Sequence, residues 1–156
     1  MKIVINACFG GFSLSKAATA RLAALKGRQC FFFKAARKAT GRLDLGRYEP
    51  ASEDDDLFWT AFDVPNPNEV IPSGDWRAMT SEEREAQNAA YSSHHIDGRP
   101  DNRSDPDLER VVEEMGDAAN GKCAELRVVE IPDGTDWEID EYDGSEHIAE
   151  KHRTWR

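Results

Sequence analysis

The spacing of hydrophobic positions changes several times along the chain, and each change marks an element. Lys2-Ile3-Val4-Ile5-Asn6-Ala7-Cys8 is rich in β-branched residues and partly alternating, which predicts a strand over 2–8. Phe9-Gly10-Gly11-Phe12 interrupts that pattern. Ser13 or Ser15 then caps a helix predicted to run to about Lys26, with Ala17, Ala18, Leu22 and Leu25 along one side. Gly27 is a natural stop for it. Gln29-Cys30-Phe31-Phe32-Phe33 is a short apolar run that suits a buried strand, so the chain opens β-turn-α-β. A parallel pairing of its two strands would require a right-handed crossover.

Regular spacing then fades. Residues 34–56 are basic and turn abruptly acidic at Glu53-Asp54-Asp55-Asp56, and Leu57 to Phe62 reads as a strand. Three prolines, Pro65, Pro67 and Pro72, predict loop over 63–78. Thr80-Ser81-Glu82-Glu83 has the form of a capping box opening a polar helix to about Ser92, with almost no apolar stripe. Residues 93–104 are polar and turn-like, so 63–104 reads as a polar excursion from the core. Ser104-Asp105-Pro106 starts a second main helix, with Ser104 as the cap and acids in the first turn. Leu108, Val111, Val112 and Met115 form its apolar stripe, and Asn120-Gly121 its end. Leu126–Ile131 is a strand followed by the turn Pro132-Asp133-Gly134. Trp137, Ile139 and Tyr142 mark another, Asp143-Gly144 a second turn, and Glu146 to Trp155 a last extended segment. The expected fold is α+β in a single domain over 1–156: a small sheet with a β-turn-α-β opening, two main helices and C-terminal antiparallel hairpins.

Composition narrows the function classes. Only 39% of the 156 residues are hydrophobic and 32% are charged, so the expected core is small. No apolar run approaches the roughly 18 residues of a membrane-spanning helix, and the opening lacks the form of a signal peptide. Cys8, Cys30 and Cys123 are an odd count without CxxC spacing, which argues against a disulfide scaffold and for the reducing cytoplasm. The net charge of −10 is unevenly spread. Residues 1–50 carry ten basic and two acidic groups, 51–100 three and eleven, and 101–156 seven and seventeen. The basic third either holds an anionic ligand or is neutralised by the acidic remainder.

The loop Cys8-Phe9-Gly10-Gly11-Phe12-Ser13 is the principal candidate site. Backbone N–H groups at a helix start, unobstructed at two glycines, accept phosphate or another anion, and Ser13, Ser15 and Lys16 add donors. Neither GxGxxG nor a P-loop is present, so a tight turn capped by serine competes with that reading. Cys8 does not form a cysteine-phosphatase motif, because position 14 is leucine. His94-His95 and His147/His152 lack zinc spacing, and no metal or cofactor is expected. Glu138 and Asp140 share one strand face and suit either acid–base chemistry or a soluble sheet edge. Arg103 and the tail His152-Arg153-Thr154-Trp155-Arg156 combine arginine with aromatics, which suits phosphate and base binding or a subunit contact.

The opening Lys2-Ile-Val-Ile-Asn-Ala-Cys-Phe-Gly-Gly-Phe-Ser-Leu-Ser15 resembles the start of a family of small phage-encoded proteins. So does the tail, through Arg103-Ser-Asp-Pro-Asp-Leu108, Val-Glu-Ile-Pro-Asp133, Trp-Glu-Ile-Asp-Glu-Tyr-Asp-Gly144 and Glu-Lys-His-Arg-Thr-Trp155. Residues 34–102 lie outside the resemblance. The family is similar to the Thoeris anti-defence proteins, phage sponges that sequester cyclic ADP-ribose isomers and, in some members, cyclic oligonucleotides. That resemblance implies a non-catalytic homo-oligomer in the cytoplasm of the infected cell, binding a small anionic nucleotide-like ligand near subunit contacts. No membrane or direct nucleic-acid contact is expected. From chemistry alone, the ligand-binding residues expected are Phe9, Gly10, Gly11, Phe12, Ser13, Lys16, Arg103, Arg153 and Trp155, with no catalytic residue. Two alternatives are an acidic inhibitor or nucleic-acid mimic that binds a host protein, and a small hydrolase using Cys8 or a carboxylate pair.

Overall fold

The opening strand of the chain finds its partner more than a hundred positions away in sequence. The computed structural model describes residues 1–37, 43–52, 59–72, 74 and 76–151. It is an α+β fold whose contacts divide it into two units, Met1–Lys26 with Gly98–Arg156, and Gly27–Asp97. Among the described residues no helix is long and apolar enough to cross a membrane.

In the first unit β1 (Lys2–Asn6) pairs antiparallel with β6 (Leu126–Glu130), setting Asn6 opposite Leu126 and Lys2 opposite Glu130. The helices α1 (Lys16–Leu25) and α4 (Pro106–Met115) supply most of the core, in which Ala18 and Leu22 meet Leu108, Val111 and Val112 together with Val4, Phe12, Leu14 and Leu126. Ser15 caps α1, its hydroxyl accepting from the Ala18 N–H, which releases Ser13 from that role. The buried side of α1 is Ala18, Thr19, Leu22 and Ala23, with Leu25 packed against the core, so of the expected apolar side only Ala17 is exposed.

Two boundaries of α4 also differ from expectation. Asp105, not Ser104, caps it by accepting from the Asp107 N–H, since its carboxylate suits the positive helix end better than a hydroxyl. The helix stops at Gly116, and a 3₁₀ turn over Gly116–Ala119 carries the chain on to Asn120. The hairpin of β7 (Trp137–Tyr142) and β8 (Ser145–Glu150) is as expected, with Asp143 and Gly144 at φ 50° and 82° in the turn. Positive φ at both central residues is the I′-type geometry that matches strand twist. The other expected hairpin is absent among the described residues. The turn at Pro132-Asp133-Gly134 forms, the Thr135 N–H donating to the Pro132 carbonyl at 3.4 Å, but β6 pairs with β1, which offers it a continuous apolar ladder, and not with β7.

The second unit is a sheet of order β3-β2-β4-β5, from β2 (Phe31–Arg37), β3 (Leu43–Pro50), β4 (Thr60–Phe62) and β5 (His95–Ile96), antiparallel throughout. β1 and β2 belong to different sheets, so the opening does not close as a parallel pair. Phe62 is fully buried with Phe33 and Ile71, its ring 4.8 Å from Tyr48 and 5.5 Å from Tyr91. Segment 63–104 therefore contributes Ile71 and Tyr91 to a core, through α2 (Pro67–Val70) and α3 (Ser81–His94). The predicted capping box of α3 is present in both directions, and the helix buries no residue fully. Strand β3 has no counterpart in the sequence reading. Its edge is closed by Asn68, whose amide accepts from the Tyr48 N–H and donates to the Tyr48 carbonyl as a neighbouring peptide would.

Candidate functional site

The site grows from a polar residue at the end of an apolar strand. Asn6 is completely buried, and burial of an amide demands that its donors and acceptor be met. Its Nδ2 donates to the carbonyls of Cys8 (2.7 Å) and Gly144 (2.6 Å), and its Oδ1 accepts from the Glu125 N–H at 2.8 Å. Its backbone N–H donates to Glu146 Oε2 at 2.8 Å. One side chain thus ties the loop after β1 to the β7–β8 turn and to the start of β6.

Glu146 completes a buried charge pair. Its other oxygen accepts from Arg103 Nη2 at 3.2 Å, with only 9% and 14% of the two side chains exposed. The Arg103 guanidinium carbon lies 3.3 Å from the centroid of the Phe12 ring, which is itself buried. Breaking such a pair strands a charge in low dielectric, so it is a structural commitment.

Over this network the glycines allow close approach. A Cβ added at Gly10 would fall 3.0 Å from the Cys123 Cβ and closer still to the Cys123 carbonyl. One added at Gly144 would come within 2.8 Å of the Gly10 nitrogen and nearer to that of Gly11. Only glycine lets the hairpin turn lie against this loop. Where they meet is an open pocket of about 300 Å³ lined by Phe9, Gly10, Gly11, Asp143 and Gly144, with Phe9 71% exposed.

Of the expected ligand-binding residues, the structure brings Phe9, Gly10 and Gly11 to the pocket. Phe12 is not a stacking platform, because its ring is buried and covered by Arg103, and Arg103, paired with Glu146, is not among the residues that line the pocket. Ser13 lies against Gly121, whose N–H donates to its carbonyl at 2.9 Å, and Lys16 opens α1. Arg153 and Trp155 lie outside the described residues, as do His152 and the acidic run 53–56.

The basic opening finds acidic partners. Lys2 pairs with Glu113, Arg21 with Glu114 and Lys26 with Asp105. Counted by unit, the first carries twelve basic and seventeen acidic groups and the second eight and thirteen, so each is net −5 and the imbalance along the sequence is gone. His94 Nδ1 is 2.8 Å from Asp63 Oδ1, and Asp63 also accepts from Arg28. Burial works to raise the Asp63 carboxyl, but hydrogen bonds from His94 and Arg28 outweigh it and hold it below the ordinary range. His147 pairs with Asp140 at 3.3 Å in the open. Among the described residues no group of three potential ligands could hold a metal ion. Glu138 and Asp140 are both exposed, as residues that keep a sheet edge soluble are.

Asn6, Cys123, Asp143, Gly144 and Glu146 were not identified as site residues from sequence. One signal was available, an asparagine following three β-branched residues on a strand that must be buried. No known family, curated protein or solved structure matches the chain.

Proposed function

We propose that the protein is a non-catalytic binder that sequesters a small cyclic nucleotide-like signal of host immunity, a cyclic ADP-ribose isomer or a cyclic oligonucleotide, during phage infection. The observation that carries the proposal is the exposed Phe9 ring beside a pocket walled by glycine backbone. An aromatic ring held in water at a concave site is a stacking surface for a base, and the Gly10–Gly11 backbone admits a ligand without side-chain obstruction. Among the described residues no lysine or arginine lines the pocket. In this proposal the cations that balance phosphate come from a second copy of the chain, in keeping with a symmetric homo-oligomer. Calorimetry with cyclic ADP-ribose isomers and cyclic di- and trinucleotides tests the proposal, and ligand released on heating should be chemically intact. Phe9→Ala should weaken binding by about 10- to 100-fold, the usual worth of base stacking. No heat from any compound at micromolar protein overturns it.

A second proposal is an acidic inhibitor of a host protein. It is favoured by the outward Asp136, Glu138 and Asp140 on the β7–β8 hairpin beside Tyr142, which is 78% exposed. Retention of one host protein from lysate at low salt, released by Glu138→Lys with Asp140→Lys, would support it over the first. Capture of none at any salt concentration would remove it.

A further inference from the structure

Two thiols lie against the loop whose Phe9, Gly10 and Gly11 line the pocket. Cys8 Sγ lies 3.4 Å from the carbonyl oxygen of Cys123 and 3.5 Å from Asn6 Oδ1. The close packing of Gly10 on Cys123 holds the same two segments together from the other side. This proximity follows from the β1–β6 ladder. Asn6 faces Leu126, and the Ala7 N–H donates to the Glu125 carbonyl at 2.8 Å, so the antiparallel path carries Cys8 alongside residues 123 and 124. Continued past Asn6, that register sets Cys8 opposite Ala124, so Cys123 is its diagonal neighbour. A disulfide spans Cα separations of about 4.4–6.8 Å. The Cys8 side chain is half-buried and that of Cys123 exposed, so an oxidant reaches the second first.

We propose that Cys8 and Cys123 form a redox couple that closes into a disulfide when the protein meets a peroxide. The Cys123 thiol loses its proton, and the thiolate attacks one peroxide oxygen. The O–O bond breaks, hydroxide leaves, and a sulfenic acid remains on Cys123. The Cys8 thiolate then attacks the sulfenic sulfur, the S–O bond breaks and a second hydroxide leaves. The two protons released from the thiols convert both hydroxides to water, and two electrons pass from the sulfurs to the peroxide. A dithiol reverses the link by exchange. Cys30 stands outside the couple, since burial pushes its thiol up to about 11 and keeps it protonated at neutral pH.

The link joins residues 115 positions apart and fixes the loop that carries Phe9 and Gly10. Its effect on ligand binding rests on the function proposed above, but its formation does not. The protein is treated with hydrogen peroxide, unfolded in guanidinium chloride, alkylated with iodoacetamide, and analysed by intact mass and peptide mapping. The expected product has lost about two mass units before alkylation, carries one alkyl group on Cys30, and yields a Cys8–Cys123 linked peptide that dithiothreitol abolishes. Its melting temperature should exceed that of the reduced protein, as closure of so long a loop predicts. Cys123→Ser, at an exposed position, should abolish both the link and the rise in melting temperature. Alkylation of Cys8 and Cys123 after peroxide, their separate conversion to sulfinic acids, or linkage only between chains would overturn the proposal. A missing nucleotide heat would leave this result untouched.

Discussion

At the scale of single residues, the site is held by groups whose value lies in what surrounds them. Gly144 and Gly134 both have φ near 80°, yet only Gly144 has backbone where a side chain would project. Gly134→Ala should therefore cost only the left-handed conformation, about 1 kcal/mol. Gly144→Ala should cost about 2 kcal/mol or more beyond that, because the Gly10–Gly11 backbone must move. Urea denaturation of the two variants measures the difference, and equal costs would mean that the hairpin turn does not rest on the loop. Asn6→Leu should be worse still, at about 3 kcal/mol, since it leaves the Glu125 N–H and the carbonyls of Cys8 and Gly144 short of partners in a buried setting. Asn6 is legible in the sequence as an oddity, a polar residue ending an apolar strand. Its partners are not, because they lie up to 138 positions away.

At the scale of elements, local signals placed most helices and strands and misjudged their partners and ends. The capping box at Thr80 and Glu83 needs only four consecutive residues, so it was readable in full. Ser104 and Asp105 are both possible caps by local sequence, and the carboxylate of Asp105, which complements the helix end and also meets Lys26, takes the role. The two caps should behave differently on mutation. Thr80→Ala should lower stability by about 1 kcal/mol at most, seen as faster amide exchange confined to the first turn of α3, because that helix buries no residue fully. Asp105→Ala removes both a cap and the partner of Lys26 beneath a buried stripe. It should lower the melting temperature of the protein, with exchange rising in α1 as well as α4. Strand β3 was missed because its edge is completed by the Asn68 side chain, a device without a periodic signature.

At the scale of the whole molecule, charge and pH couple to stability in both units. Burial acts to raise the Asp105 carboxyl, but Lys26 and the helix N–H groups prevail and hold it low, as His94 and Arg28 do for Asp63. Each carboxyl titrates lower in the folded protein than the unfolded value of about 3.9, so its stabilisation is complete above that pH and is lost as acidity carries the protein through the folded value. Burial against Tyr91 and Phe62 lowers His95, with Arg28 acting the same way and Asp97 opposing. A depressed histidine is likewise favourable above its unfolded value of about 6.5 and loses its contribution below it. Thermal melts from pH 8 to pH 3 should therefore show two declines, one beginning below about 6.5 and one below about 4. His95→Gln should remove the first. Stability that rises between pH 7 and pH 5 would contradict this assignment. The sequence by itself determined the α+β class, the capping box of α3, the Asp143-Gly144 turn, the apolar stripe of α4 and the presence of a glycine loop after the first strand, because each is written in residues that are neighbours along the chain. Only the tertiary structure decided that β1 pairs with β6, that Arg103 is bound to Glu146 and Phe12, and that Asp143-Gly144 meets Gly10-Gly11 beside Phe9. Those choices depend on which distant groups satisfy one another once water is excluded, and no local pattern carries that information.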